Sequence, residues 1–349
     1  MKTTRRGIVG AAAASALAAP AVARAQGAVR RWRMVTSWGK NLPGPGVSAE
    51  RLAQRIGMMS QGELAIEVFA AGTIVPAFGV LDAITSGAVE MGHTAALFWS
   101  GKMAAAPLFT TMPFGLTPSA HIGWLATGGQ ALWDELYAPQ GVKPLVGGNT
   151  GPSAGGWFRK EIASLTDVKG LRIRATGLGG EVYNALGATA IAIAPSETYA
   201  SLERGVIDAV ELLAPVNDKP LGLERIAPFY FFPGFNKPNG VSETLIALKL
   251  WQELPEHLRA IVTAACQAEH DIALGEAELA NGDALRSLVG SGAKLRAFPA
   301  DVIAAANVAA EAALNRIGQK DALSRRIVLS YARAAEAARL WSTASSGRG

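Results

Sequence analysis

The feature that most narrows the fold is a run after Pro255 in which apolar residues recur at helical spacing. Leu258, Ile261, Val262, Ala265, Ile272, Leu274, Leu279 and Leu285 carry it, and no proline interrupts it until past Gly290. At 1.5 Å per residue this predicts a helix of roughly 50 Å, longer than one small domain needs. The rest of the chain therefore has to supply two bodies for it to cross. Before the run, short strand patterns at 32–35, 64–69, from 90 and at 142–146 alternate with helical patterns around Leu52, Ile84, Trp124 and Trp133. That alternation predicts βαβ units and an open, largely parallel α/β sheet. From Trp157 the alternation begins again, with strands at 171–175, 189–193 and 209–213 and helices at 181–186 and 196–203. The aromatic and proline-rich stretch 228–239 reads as a crossover, and 245–248 as a strand. Two more helices are expected between Ala305 and Trp341, with a polar, frayed tail over 342–349.

The N-terminus pairs Arg5 with Arg6, continues as an alanine-rich apolar run to about Val22, and ends in the small-x-small pattern Ala23-Arg24-Ala25. This predicts an export signal over residues 1–25, of the twin-arginine type, with a Sec signal as the alternative. The apolar run falls short of the roughly 20 residues of a spanning helix, so no membrane anchor is expected. Loss of Lys2, Arg5, Arg6 and Arg24 would lower the formal charge from +5 to +1. Nucleic acid is thus not an expected partner, since no stretch clusters Lys and Arg with aromatics. The remaining 324 residues suffice for two cores. Cys266 is the single cysteine, which excludes an intrachain disulfide, and its alanine neighbours mark it as an inert core thiol.

Candidate chemistry concentrates between Gly147 and Val182. In Leu171-Arg172-Ile173-Arg174-Ala175 the apolar residues share one strand face and both arginines the other. The following Thr176-Gly177-Leu178-Gly179-Gly180-Glu181 leads into a helix, and strand ends that open onto helix N-termini are where α/β proteins hold anions. One of these arginines, Arg172 or Arg174, is a candidate anion ligand, and two solvated arginines on an exposed strand face are the alternative. Gly151-Pro152-Ser153-Ala154-Gly155 satisfies G-x-S-x-G, which keeps a serine hydrolase using Ser153 as an alternative. That motif requires a helix after the serine, whereas 155–158 reads as a strand. The glycines lack nucleotide-binding spacing, and no His/Cys/Asp cluster has transition-metal spacing. Phe98-Trp99 reads either as ordinary packing or as an apolar wall over a ligand.

Several ordered motifs resemble the solute receptors of TRAP (tripartite ATP-independent periplasmic) transporters, the DctP type, over essentially the whole chain after the leader. They include Asp167-Val168-Lys169-Gly170-Leu171-Arg172-Ile173-Arg174 and Gly205-Val206-Ile207-Asp208-Ala209-Val210-Glu211. Val75-Pro76-Ala77-Phe78, Glu90-Met91-Gly92-His93, Pro113-Phe114-Gly115-Leu116-Thr117, Gly148-Asn149-Thr150-Gly151 and Gly177-Leu178-Gly179-Gly180-Glu181-Val182 are similar to the branch that binds 2-oxo and 2-hydroxy monocarboxylates. The resemblance implies a periplasmic, non-enzymatic α/β protein of two lobes, with a long helix spanning both, that delivers a small organic acid to a membrane permease. It implies a first lobe over 27–147 completed by about 236–250, a second over 148–235, the long helix within 251–290 and C-terminal helices over 291–349. Sulfonates and sugar acids are the alternative ligands.

By the same resemblance Arg174 clamps the substrate carboxylate and Ser153 contacts substrate where relatives have glutamine. Asn149 stands at the lobe junction, and Phe98 reaches in from the first lobe. A sodium or calcium ion beside the ligand is held in the branch by a glutamate and the next carbonyl, matching Glu211 and Leu212, and by a second acid. That second acid is Lys237 here, so the expectation is no resident metal and an ammonium in its place, paired with Glu211 opposite Arg174. Relatives also pair as homodimers through C-terminal helices, where this chain has Leu323, Ile327, Val328, Tyr331 and Leu340.

Overall fold

In a computed structural model, which describes residues 29–346, the alternating pattern becomes two sheets. The expected leader over residues 1–25 lies outside the described residues. Strands β1 (Arg30–Thr36), β2 (Leu64–Phe69), β3 (Met91–Thr94) and β4 (Val142–Asn149) belong to the first lobe. The chain then crosses to the second lobe for β5 (Gly156–Phe158), β6 (Arg172–Arg174), β7 (Thr189–Ile191), β8 (Ala209–Val210) and β9 (Phe229–Phe232). It returns as β10 (Val241–Ala247) and contributes β11 (Lys294–Ala297) after the long helix. Sheet orders are β2-β1-β3-β10-β4 and β11-β9-β5-β8-β6-β7.

The sheets are mixed where a largely parallel one was expected. β10 runs antiparallel to β3 and β4, and β5 antiparallel to β8 and β9. The cause is the double crossing: β4 and β9 run toward the junction between lobes, whereas β5 and β10 leave it. Two strands escaped the sequence reading. β9 lies within the stretch read as a crossover, because Pro228 and Pro233 bracket a four-residue aromatic run whose Tyr230 and Phe231 are fully buried. β11 is an edge strand with mostly exposed residues, so it has no apolar alternation to announce it. β10 also begins at Val241, ahead of the expected residue 245. The last helix continues to Ser345, through part of the expected frayed tail.

The long helix is Glu256–Gly290, 35 residues and about 52 Å. Its early turns place Leu258, Val262, Ala265 and Cys266 in a core with Leu52, Ile56, Met91 and Ile246 of the first lobe. Its last turns place Leu288 against Trp157, Leu223 and Tyr230 of the second. The helix thus fixes the two lobes to one rod while cleft residues lie elsewhere. Burial pushes the Cys266 thiol up to about 12, as befits an inert core position. Helix Ala300–Gly318 packs on helix Gly177–Ala185 of the second lobe, and helix Ala322–Ser345 on helices Pro118–Trp124 and Gln130–Tyr137 of the first. In that last helix Ile327 and Tyr331 are buried within the chain, where the Tyr331 hydroxyl accepts from Leu116 N at 2.9 Å. Leu340 and Trp341 remain exposed. Among the described residues no helix is long and apolar enough to cross a membrane.

A buried acid sits on β10, beside the central strand of the first sheet. Glu243 of β10 accepts from Trp99 Nε1 and from the Tyr137 hydroxyl, the latter at 2.9 Å. Burial pushes its carboxyl up from 4.5 to about 8, against the pull of those two bonds. The folded chain then holds a proton that the unfolded chain releases, so stability falls as pH rises from about 4.5 to about 8. At 1.36 kcal/mol per unit, the loss is on the order of 4–5 kcal/mol. Glu243→Gln is expected to flatten this slope, gaining most over the wild type near the alkaline end. Urea unfolding of both proteins across the window measures it, and parallel slopes would contradict the assignment.

Candidate functional site

Arg172 and Arg174 share one face of β6 and are separated along its length. Arg172 at its exposed end forms a two-pronged pair with Asp208, at 3.0 and 2.7 Å. Arg174 at its inner end is only 2 % exposed. Its Nε donates to Ile193 O at 3.0 Å and its NH1 to Glu211 O at 2.7 Å, while NH2 has no protein partner among the described residues. Two backbone carbonyls therefore hold the guanidinium plane and leave one edge free to grip a second group. Burial lowers its pKa, an effect that Glu211 and Asp218 oppose, and an arginine stays charged there.

The free edge faces a cavity of about 40 Å³. Trp38, Leu97, Phe98 and Thr110 line it from the first lobe, Thr176, Pro195, Leu212 and Leu213 from the second, and Thr150, Lys237, Gly240 and Ser242 from the junction. The Oγ1 of Thr176 is buried with no partner among the described residues, directly before helix Gly177–Ala185. About 10–15 Å³ of such space holds one water, so the cavity suits a solute of a few heavy atoms. Trp38 is fixed in the wall because its Nε1 donates to His93 Nδ1 at 2.8 Å, while His93 Nε2 meets Gly147 O at 2.9 Å. Burial pushes His93 down to about 4, so it stays neutral in this relay.

Beside Arg174 lies a second cation. Lys237 is 4 % exposed and follows the β9 strand through a tight turn. Its Nζ donates to Leu212 O at 2.6 Å and is in ion-pair contact with Glu211 Oε1. Glu211 is fully buried, and its Oε2 has no partner among the described residues. Burial lowers the pKa of Lys237, Glu211 raises it and Arg174 lowers it. Asp218 stands in the next layer, where its Oδ2 accepts from Trp157 Nε1 and the Tyr230 hydroxyl, both at 2.9 Å. Burial pushes that carboxyl up to about 6. The two groups that the resemblance assigned to a cation, Glu211 and the Leu212 carbonyl, are thus both engaged by the ammonium. Among the described residues no cluster of three or more His, Cys, Asp or Glu could hold a metal.

Three residues expected at the substrate site, Glu211, Asn149 and Ser153, lie outside the cavity wall. Asn149 is turned into the junction, its Nδ2 donating to Asn239 Oδ1 at 2.9 Å and its Oδ1 accepting from Gly151 N at 2.8 Å. It laces the two crossing segments together, as do Thr150 N to Gly240 O at 3.0 Å and Ser153 N to Lys237 O at 2.9 Å. The Ser153 side chain is buried, its Oγ has no partner, histidine included, among the described residues, and a strand follows where a nucleophile elbow needs a helix. Phe98 does line the cavity, whereas Trp99 turns away to Glu243. Trp38, Thr110, Thr150 and Ser242 escaped the sequence reading. They come from separate segments, and only the placing of hydroxyls beside glycine, as in Thr150-Gly151, could have hinted at them.

The lobes touch around the cavity. Asn217 Nδ2 of the second donates to Pro43 O of the first at 2.7 Å. Gly177 has φ of 59°, and a Cβ there would lie 3.0 Å from Leu97 Cβ across the cleft. Only glycine meets both demands without strain. A wider groove of about 480 Å³ beside the long helix includes Ile122, Trp251 and Lys143, but Lys143 is already paired with Asp134.

Two mixed sheets tied by a long helix, with a buried cationic pocket between them, define the class of two-lobed solute-binding proteins. Residues 39–321 match the profile of the bacterial extracellular solute-binding protein family 7, and the chain belongs to that family. It is 38 % identical over 298 residues to the monocarboxylate 2-oxoacid-binding periplasmic protein of Nostoc sp., covering 85 % of this chain and 82 % of that one. A TRAP transporter solute-binding protein from Bordetella bronchiseptica, with copurified calcium and picolinate, superposes with a TM-score of 0.89 at 33 % identity, over 92 % of this chain and 96 % of that one. Another, from Pseudoalteromonas atlantica with bound sodium and pyruvate, gives 0.88 at 34 % identity, over 92 % and 98 %.

Proposed function

We propose that this chain is the periplasmic receptor of a TRAP transporter that captures a small 2-oxo or 2-hydroxy monocarboxylate and presents it to the membrane permease. The observation that carries this reading is the free edge of buried Arg174 on a cavity of about 40 Å³. A carboxylate can accept two parallel hydrogen bonds from that edge, and Thr176 has a hydroxyl left to offer the ligand. Trp38 and Phe98 would cover the aliphatic end. The small volume speaks against a sugar acid. The Nostoc and Pseudoalteromonas proteins, associated with 2-oxo acids and pyruvate, support the ligand class.

Capture is by closure. The open form admits the solute, and a ligand that touches both lobes shifts the population toward the closed form. The lobes are proposed to divide near residues 148 and 236, where the laced segments would act as hinges. Ser153 would serve by its backbone contact to Lys237, and Asn149 as a junction residue. No catalytic role is proposed. Two copies would pair through the exposed end of helix Ala322–Ser345, at Leu340 and Trp341. Calorimetric titration of the protein with pyruvate, lactate, a sulfonate and a sugar acid tests the reading. Saturable one-to-one binding of the first two is expected, and binding of the sulfonate or sugar acid alone would overturn it.

A further inference from the structure

We infer that the Lys237 ammonium is a built-in substitute for the cation, so that this receptor's ligand site is complete without sodium or calcium. The inference rests on the reading of the cavity as a carboxylate site. In the similar proteins from Bordetella and Pseudoalteromonas a free ion accompanies the acid, calcium in one and sodium in the other. Here Arg174 donates to the backbone carbonyl of Glu211, and the positive charge against the buried Glu211 carboxylate belongs to Lys237. The same Nζ also donates to Leu212 O, so an ion seeking that carboxylate and carbonyl would meet an ammonium already there. Buried charges of this kind are tolerated only as compensated groups, and each of these two compensates the other. Lys237 lines the cavity, so its ammonium can also face the bound acid.

A tethered charge differs from a captured one in its dependence on the medium. Where an ion completes a site, ligand affinity is linked by mass action to the ion's concentration. A lysine is always present at full occupancy. The receptor would therefore bind its solute equally in media rich or poor in sodium and calcium. The position of an acidic residue in this turn would be what makes a relative metal-dependent.

Two measurements test this. The first needs no ligand: thermal unfolding of the wild type in chelator, in sodium and in calcium, with magnesium as the control for general ionic effects. The midpoint is expected to be the same in all four, and a rise specific to sodium or calcium would overturn the inference. The second follows pyruvate affinity under the same conditions. The wild type is expected to stay within about twofold, whereas Lys237→Asp should gain at least tenfold from calcium, about 1.4 kcal/mol. Wild-type binding that vanishes in chelator and returns with a cation would also overturn it. If the variant does not fold, the two wild-type measurements still decide. If the wild type ignores cations and binds no acid, the carboxylate reading fails and the statement about the metal stands.

Discussion

Replacing Arg174 by alanine is expected to weaken pyruvate capture by at least a hundredfold, about 2.7 kcal/mol. Loss of one partner in a buried, hydrogen-bonded charge pair costs about 2–5 kcal/mol, and this guanidinium is both buried and held by two carbonyls. Arg174→Lys is expected to recover little. An ammonium keeps the charge but lacks the planar fork, and it would lose one of the two bonds to Ile193 O and Glu211 O that aim the side chain. Titration calorimetry on wild type and both variants measures the effect. Unchanged affinity in the alanine variant would place the ligand elsewhere.

The second large effect is on stability. Trp157 of β5 is fully buried and stacks on Tyr230 with ring centroids 3.8 Å apart. Its Nε1 bonds to Asp218, in the layer beneath the two cations. Trp157→Ala is expected to destabilise by about 3–5 kcal/mol through the cavity left behind. Trp157→Phe keeps an aromatic face and removes the N–H, so it should cost less, about 1–3 kcal/mol for the carboxylate's lost donor. Urea unfolding ranks the three proteins, and a phenylalanine variant as damaged as the alanine one would show that the hydrogen bond, and not the stack, dominates.

The same parts of the chain show what a sequence reveals. The long helix was legible because helical periodicity and the absence of proline are local properties, and so was Arg174, because the glycine run after it marks the inner end of β6. Strand β9 was hidden by its prolines, and β11 by lying at an edge with nothing to bury. The cavity wall was only half legible. Phe98 and Thr176 belong to segments already singled out, but Trp38 and Ser242 reach the site through a relay and a returning strand that no local pattern encodes. Ser153 and Asn149 lie in an equally suggestive stretch but off the cavity wall, and the bonds they make are to the junction.

Titration of pyruvate into the wild-type protein in the presence of chelator tests the account most directly. One molecule of pyruvate bound per chain, with an affinity that added sodium or calcium leaves unchanged, is the predicted result. No binding until a cation is supplied would contradict the role given to Lys237, and no binding under either condition would contradict the receptor reading built on Arg174.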